Sequence, residues 1–339
     1  MVMAAQREAG TICQAAQFSH ERHWHASWFC TFFLGGMTQG WFAMSTSSAP
    51  RYPLVLVPGL LGFISLLGYP YWYGIVTALR RIGAKVFPVL VSSVHSSEVR
   101  GEQLLLRIAD VLQQTGAEKV HLIGHSQGAL TARYAAALKP EWVASVTSVA
   151  GPNHGSELAD FLKRKAPHGS WRERLLARLL RGVARCMAWL ERGYKGEPLP
   201  MDVAAAQQSL TSDGVAAFNA QYPQGLPEVW GGEGAAEVNG VRYYSWSGTI
   251  QPGITDKGGN RFDGPNVACR MFAKTFQREP GQCDGMVGRY SSHLGTVIGD
   301  QYPMDHFDII NQTFGLVGKG AEPVKLFVEH AQRLQAAGL

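Results

Sequence analysis

Apolar runs and helix-period stripes alternate along this chain from about Arg51 onward. Tyr52–Val57 is a continuous apolar run, the pattern of a strand buried on both faces. Lys85–Val91 and Val143–Val149 read as further strands. Between the first two, Trp72, Ile75, Val76, Leu79 and Ile82 recur at helical spacing and predict a helix over 72–82. Leu104, Leu105, Ile108, Val111 and Leu112 predict a second over Glu102–Gln113. A short run, Lys119–Ile123, leads into Gly124–His125–Ser126–Gln127–Gly128, and Ala129–Leu138 follows as a helix. Strands alternating with helices predict an α/β fold, with a mainly parallel central sheet flanked by helices. Further on, Val241–Trp246 reads as a strand, Val267–Phe276 as a short helix and Val324–Ala337 as a closing helix, with loops between them.

One segment breaks the alternation. Trp171, Leu175, Leu176, Leu179, Leu180, Val183, Met187 and Leu190 fall on one broad face of a helix over 170–192. Arg172, Arg174, Arg178, Arg181, Arg185 and Arg192 lie largely elsewhere on the wheel. Such a helix packs on the core, lies at a lipid interface, or covers an apolar cleft as a lid.

Composition narrows the picture. The 339 residues, 46% hydrophobic and 17% charged, suit one large domain, read here as 51–339. The net charge of +5 is spread, without the basic stripe that nucleic-acid binding requires. Cys13, Cys30, Cys186, Cys269 and Cys283 show no metal or redox spacing. Cys269 and Cys283 either close one loop or stay free thiols. Residues 1–50 read as an extension without a fold or as an atypical signal segment, with Met44 an alternative start. The apolar run Ala26–Gly36 is too short to span a bilayer.

The chemistry gathers at Ser126. Gly-x-Ser-x-Gly between a strand and a helix is the sharp turn that exposes a serine for nucleophilic attack; the plainer reading makes Ser126 a helix N-cap. A serine hydroxyl needs a histidine to take its proton, and the histidine needs a carboxylate on its other nitrogen. In chain order serine, acid, histidine, the loop-borne His306 competes with His293. Asp256, Asp263, Asp284 and Asp300 compete for the acid, and spacing alone does not choose. An oxyanion would take backbone N–H groups from Gln127 and from the loop after the first strand, where Leu60 is the natural donor.

Several separated stretches resemble one family. Tyr52–Phe63, Ser97–Leu104 (Ser-Glu-Val-Arg-Gly-Glu-Gln-Leu), Ile123–Gly128, Asn153–Asp160, Asn219–Pro227, Gly232–Gly234 and Ser291–Gly295 are similar, in order, to bacterial true lipases of family I.1/I.2. The Proteus-type branch, which starts at Met-Ser-Thr as Met44–Thr46 does here, is the nearest. The resemblance implies an α/β-hydrolase fold with a helical lid at 170–192. It places the nucleophile on Ser126, the acid on Asp284, the base on His306, and the oxyanion donors on Leu60 and Gln127. It also implies one structural Ca²⁺, held by Asp263 and Asp308 with the carbonyls of Gln312 and Leu316; Asp256 rivals Asp263. Two departures stand out. Pro58 replaces the histidine usually found before the oxyanion glycine. The family's common disulfide is missing, with Gly231 and Tyr290 near its places.

The resulting expectation is a triacylglycerol lipase acting through an acyl-enzyme on long-chain esters at a lipid–water interface. It would be a monomer without transmembrane anchor or nucleic-acid partner, secreted or, with a start at Met44 and no Sec signal, exported by another route or cytoplasmic; its dependence on a folding chaperone stays open. A carboxylesterase or polyester hydrolase with the same triad, and a non-catalytic lipid-surface binding protein, are the alternatives.

Overall fold

The computed structural model of the protein describes residues 49–167, 169–190, 199–250 and 258–339. These belong to one compact unit, Thr46–Leu339. In chain order it runs β1 (Leu54–Val57), the small hairpin β2 (Ser65–Leu66) and β3 (Tyr69–Pro70), α1 (Ile75–Arg81), β4 (Val86–Pro88), α2 (Ser97–Thr115), β5 (Val120–His125), α3 (Gln127–Leu138) and β6 (Val143–Val149). The second half adds α4 (Glu157–Lys165), α5 (Trp171–Leu190), α6 (Val203–Gln208), α7 (Ser212–Gln221), β7 (Glu237–Val238), β8 (Val241–Gly248), α8 (Gly264–Ala273), β9 (Thr296–Tyr302) and α9 (Pro323–Ala336).

Among the described residues the main sheet has seven strands, ordered β4-β1-β5-β6-β8, with β7 and β9 both on the far side of β8. All pairings are parallel except β7 with β8. The apolar run of β1 explains its central place. Successive side chains point to opposite faces of a strand, and both faces are covered: Leu54 and Leu56 join Trp72, Ile75, Trp246 and Phe327 in one core. Val55 and Val57 join Leu104, Ile108, Leu122 and Ala132 in the other. The carboxyl ends of β1, β5 and β6 thus sit at one edge of a sheet with no freedom to slide.

Several elements differ from their expected limits for local reasons. Helix α1 starts at Ile75, because Gly74 takes a left-handed φ of 74° and leaves Trp72 buried just before it. Strand β4 is shorter than expected, Val86–Pro88, although Val89 N still donates to Leu56 O of β1 at 3.1 Å. Helix α2 starts five residues early, capped by Ser96 Oγ accepting from Val99 N. Helices α4, α6 and α7 and strand β9 arise where no element was expected. In α7 only Val215 and Phe218 are buried, and Gly214 stands in its first turn, so little periodic signal remains. Every residue of β9 is at least partly exposed. The cysteine alternative resolves: Cys269 and Cys283 are buried free thiols and Cys186 is an exposed one, while Cys13 and Cys30 lie outside the described residues.

Helix α5 corrects the reading of one broad apolar face. Ala177 and Ala184 are buried, with Leu180 beside them, against Val94, Val203, Ala206, Leu60 and Leu61. Trp171, Leu175, Leu179 and Val183 face solvent instead, Leu179 at 60% exposure. Arg192 lies outside the described residues.

Candidate active site

The turn after β5 is built by close approach. A Cβ on Gly124 would meet Gly128 O at 2.3 Å, and one on Gly128 would meet Val57 O at 2.3 Å. Both contacts are with backbone, so neither position admits a side chain without moving a strand or α3. Between them Ser126 sits at φ 55° and ψ −128°, in a region that costs a non-glycine residue about 1–3 kcal/mol. It is held there by its amide, which donates to Val149 O at 2.9 Å, and by Ser126 O, which accepts from Ala129 N at 3.0 Å. Ser126 does occupy the N-cap position of α3, but its hydroxyl caps nothing. That separates it from the ordinary capping serine, and the residue is left partly exposed at the turn.

His306 and Asp284 meet at the same edge. His306 Nδ1 donates to Asp284 Oδ2 at 2.7 Å. The other carboxylate oxygen accepts from Met286 N at 2.8 Å and Val287 N at 2.7 Å. Asp284, wholly buried, is therefore saturated by three donors, and the His306 ring is fixed with its second nitrogen, Nε2, available to act as base. The ring lies 4.7 Å, centroid to centroid, from that of His125, the residue before Ser126. Among the described residues no hydrogen bond yet joins Ser126 Oγ to the imidazole; such bonds commonly close only with substrate bound.

The rivals fall elsewhere. His293 has both ring nitrogens engaged, Nδ1 with Gly232 O at 2.9 Å and Nε2 with Asp300 at 3.0 Å. Asp300 is also bound by Arg289 through Nε at 2.7 Å and Nη2 at 3.1 Å. Its carboxylate is held below the usual range: burial raises it, but Arg289 and His293 outweigh that. This is a structural ion cluster pinning the loop before β7. His330 lies buried in α9, bonded to Thr147; Asp256 and His168 lie outside the described residues.

Two backbone amides are free for an oxyanion. Neither Leu60 N nor Gln127 N donates a hydrogen bond among the described residues. The loop carrying Leu60 is held from behind by Arg100, whose buried guanidinium donates to Pro58 O at 2.5 Å, Gly59 O at 3.1 Å and Ser92 O at 3.0 Å. Burial lowers its pKa to about 10, so it stays a cation. Because C=O and N–H of a trans peptide point opposite ways, holding Gly59 O aims Leu60 N–H away from Arg100. Arg100 belongs to the Ser97–Leu104 stretch, yet nothing in its spacing marks it as an anchor of a loop 40 residues upstream. The Gln127 side chain is more than a bystander: it is fully buried, and Nε2 donates to His95 O at 2.8 Å and to Ser209 Oγ at 3.1 Å.

Asp263 and Asp308 come together as expected, with a third carboxylate, Asp305, that sequence reasoning did not name. One oxygen from each lies within 4.8 Å of the others, a spacing that one hard cation with ~2.4 Å ligand distances would bridge. Both oxygens of Asp263 and Oδ1 of Asp308 are buried without a hydrogen-bond donor in bonding geometry. Burial, and then mutual repulsion with Asp305, raises Asp263 to about 6 and raises Asp308 as well. Unpaired buried carboxylates are costly, so the residues fit a bound cation. Gln312 precedes and Leu316 follows the turn Thr313–Gly315, which puts both carbonyls on the loop leaving Asp308. Asp305 is less open, since Oδ1 accepts from Phe307 N and Asp308 N, and Oδ2 from Asn266 Nδ2. The places of the missing disulfide do adjoin: Gly231, at φ 77°, has the Tyr290 ring 3.1 Å from where a Cβ would stand.

A parallel sheet whose strand ends carry a strained serine turn, an acid–histidine pair and a pair of open amides defines an α/β-hydrolase. A family model for that fold matches residues 52–191. The triacylglycerol lipase of Pseudomonas fragi is 49% identical over 297 residues, which is 87% of this chain and 100% of the relative. That of Vibrio cholerae is 44% identical over 290 residues, 85% of this chain and 89% of the relative. The chain belongs to the triacylglycerol lipase family. Among solved structures, Staphylococcus hyicus lipase superposes with a TM-score of 0.54 at 18% identity, over 85% of this chain and 98% of that one. A metagenomic carboxyl esterase gives a TM-score of 0.57 at 19% identity, over 86% and 77%. At these identities the superpositions speak for the fold alone.

Proposed function

We propose that the protein hydrolyses acylglycerol esters through an acyl-enzyme on Ser126. The observation that carries this is the His306–Asp284 pair docked against His125, one residue from the strained serine. Ser126 Oγ attacks the ester carbonyl while His306 Nε2 takes its proton. Asp284 stabilises the imidazolium on the Nδ1 side. The carbonyl oxygen, now an oxyanion, accepts from Leu60 N–H and Gln127 N–H. Collapse expels the alcohol, which takes the proton back from His306. Water, deprotonated by the same imidazole, then releases the fatty acid and restores Ser126.

The substrate reading rests on apolar space. A cavity of about 170 Å³ lined by Leu60, Val94, Leu162, Ala206 and Leu210, with Leu180 of α5 on one wall, adjoins the residue of one oxyanion amide. An acyl chain fits such a lining. Helix α5 is proposed as a lid, and its outward Trp171, Leu175, Leu179 and Val183, beside Arg174, Arg178, Arg181 and Arg185, as the part that meets the lipid surface. Asp263 and Asp308, with the Gln312 and Leu316 carbonyls and Asp305 beside them, would hold one Ca²⁺, whose role is to neutralise these carboxylates and brace the loop bearing His306. Residues 51–339 act as one catalytic domain in this reading, and 1–50 as an extension or atypical signal segment of an extracellular enzyme. No helix of the described residues is long and apolar enough to cross a membrane.

The test is ester hydrolysis over acyl chain length, with soluble and emulsified substrate, by the full chain and by Ser126→Ala. The variant is expected to stay folded and lose turnover and fluorophosphonate labelling together. Retained turnover would sink the assignment; a preference for soluble short-chain esters alone would favour a carboxylesterase.

A further inference from the structure

Two buried side chains beside the turn have no part in the reaction above. His125 is 1% exposed and Tyr71 is 5% exposed. The Tyr71 hydroxyl lies 2.7 Å from His125 Nδ1, His125 Nε2 lies 2.9 Å from the backbone oxygen of His306, and Gly59 N lies 3.1 Å from the Tyr71 hydroxyl. The direction of each bond follows from the ends of the chain. A carbonyl oxygen only accepts, so His125 carries a proton on Nε2. Burial, then the neighbouring His306, holds the His125 ring far below its ordinary pKa and therefore neutral. Nδ1 is then a bare acceptor, Tyr71 must donate to it, and the Tyr71 oxygen is left to accept from Gly59 N–H. One polarity satisfies all three bonds.

What these bonds join matters. Gly59 is clamped through its carbonyl by Arg100, and through its amide by Tyr71, so the peptides on both sides of it are fixed. The second of them carries Leu60 N–H. At the far end the chain grips the backbone of His306 itself. Pro58, beside Gly59, offers no side-chain donor of its own, and Tyr71 supplies the acceptor for the Gly59 amide that Arg100, a donor only, does not. Packing alone does not require the polar atoms: Tyr71 is already edge-on to Phe63 and Trp72, with centroids 5.3 Å away in each case.

We propose that Tyr71 and His125 are positioning residues, a one-way relay from Gly59 N–H through Tyr71 and His125 to the His306 carbonyl that locks the oxyanion loop and the histidine loop in one mutual geometry. The inference rests on Leu60 and His306 having the roles given above. It predicts a transition-state effect, since an oxyanion donor that drifts is felt when charge develops and hardly at all in binding.

The experiment measures kcat and KM of the full chain on a soluble p-nitrophenyl ester for Tyr71→Phe, His125→Leu, His125→Gln and the Tyr71→Phe/His125→Leu pair, with Ser126→Ala in parallel. Removing a whole oxyanion donor costs about 10²–10³ in kcat, so loosening one is expected to cost roughly 10-fold to 30-fold, with KM within about twofold. His125→Gln, which keeps an N–H in reach of the His306 carbonyl, recovers part of the loss. The double variant loses no more than the worse single one, because a chain cut twice is still one cut chain. Tyr71→Phe that keeps kcat within about twofold, or losses that multiply, overturns the relay. Should His125→Leu fail to fold, ¹⁵N shifts of His125 in the unaltered protein decide: a neutral ring protonated on Nε2 is expected, and an Nδ1–H tautomer or an imidazolium rules the relay out. Full turnover by Ser126→Ala would instead discredit the nucleophile, whereas an inert Ser126→Ala beside a fully active Tyr71→Phe discredits the relay alone.

Discussion

The strand ends around Ser126 and the helix α5 are built on opposite principles. On the serine side, β1, β5 and β6 are buried along their whole length, the loops leaving β1 and β5 are tied by Arg100 and by Val149 O, and Asp284, between α8 and β9, is held by three donors. On the other side, α5 packs through Ala177, Leu180 and Ala184, with Met187 against the main core, and exposes most of its surface. The serine side carries backbone strain that only a rigid surround can hold. Helix α5 carries none among its non-glycine residues.

The comparison can be broken hardest at Asp284. Asp284→Asn is expected to lower kcat by about 10⁴-fold with little change in unfolding temperature, because the amide oxygen can still accept from Met286 N and Val287 N. Stopped-assay kinetics with a thermal melt checks both. A residual rate above a tenth of normal would mean that the pair does not serve the reaction.

Next comes the turn. Gly128→Ala places a methyl 2.3 Å from Val57 O, so β1 and α3 must separate. Overpacking of this kind costs typically 1–3 kcal/mol or more. The expected result is a lower unfolding temperature together with loss of labelling at Ser126. A fully stable Gly128→Ala would show that this side is softer than its contacts imply.

The carboxylate cluster gives a pH-dependent effect. With the cation removed, Asp263 binds its proton more tightly folded (about 6) than unfolded (about 3.8). The native state then holds more protons than the unfolded one between those values, so the stability of the stripped protein falls as pH rises through that window. Asp308 shifts the same way and carries the loss further up. A cation bound between these carboxylates would remove the penalty. Chelation is therefore expected to lower the unfolding temperature by a few degrees at pH 8 and by little at pH 4.5, as scanning calorimetry would show. Equal shifts at both pH values would leave the cluster without a cation-binding role.

The gentlest intervention is on α5. Leu175→Ser with Leu179→Ser removes only exposed apolar surface, and surface changes of this kind stay within about 0.5 kcal/mol. Stability and turnover of a soluble ester should hold, while hydrolysis of emulsified substrate falls several-fold. Unchanged emulsion rates would return α5 to the status of a packing helix.

How far these regions were legible in the sequence differs as their construction does. The central strands and the turn were plain, because a strand buried on both faces must be apolar throughout and the turn needs glycines at two set positions. Helix α5 was legible as a helix, yet its stripe was misread: the wheel shows Leu175 and Leu180 as equally apolar and cannot say which one finds a neighbour. Strand β9 was missed because its pairing with β8 leaves every side chain partly exposed, without an alternating pattern.

By itself, then, the order of residues determined the turn at Ser126, since its geometry depends on sterics within a few positions. Likeness to a family pointed to Asp284 and His306, but spacing left four aspartates and two histidines in play. Only the tertiary structure brought His306 to Asp284, tied His293 to Asp300, gathered Asp305 with Asp263 and Asp308, and linked Gly59 to His306 through Tyr71 and His125. Each of these is a contact between segments that the sheet and its crossovers bring side by side, and hydrogen-bond reach of about 3 Å is a property of that folding, invisible in the chain's linear spacing.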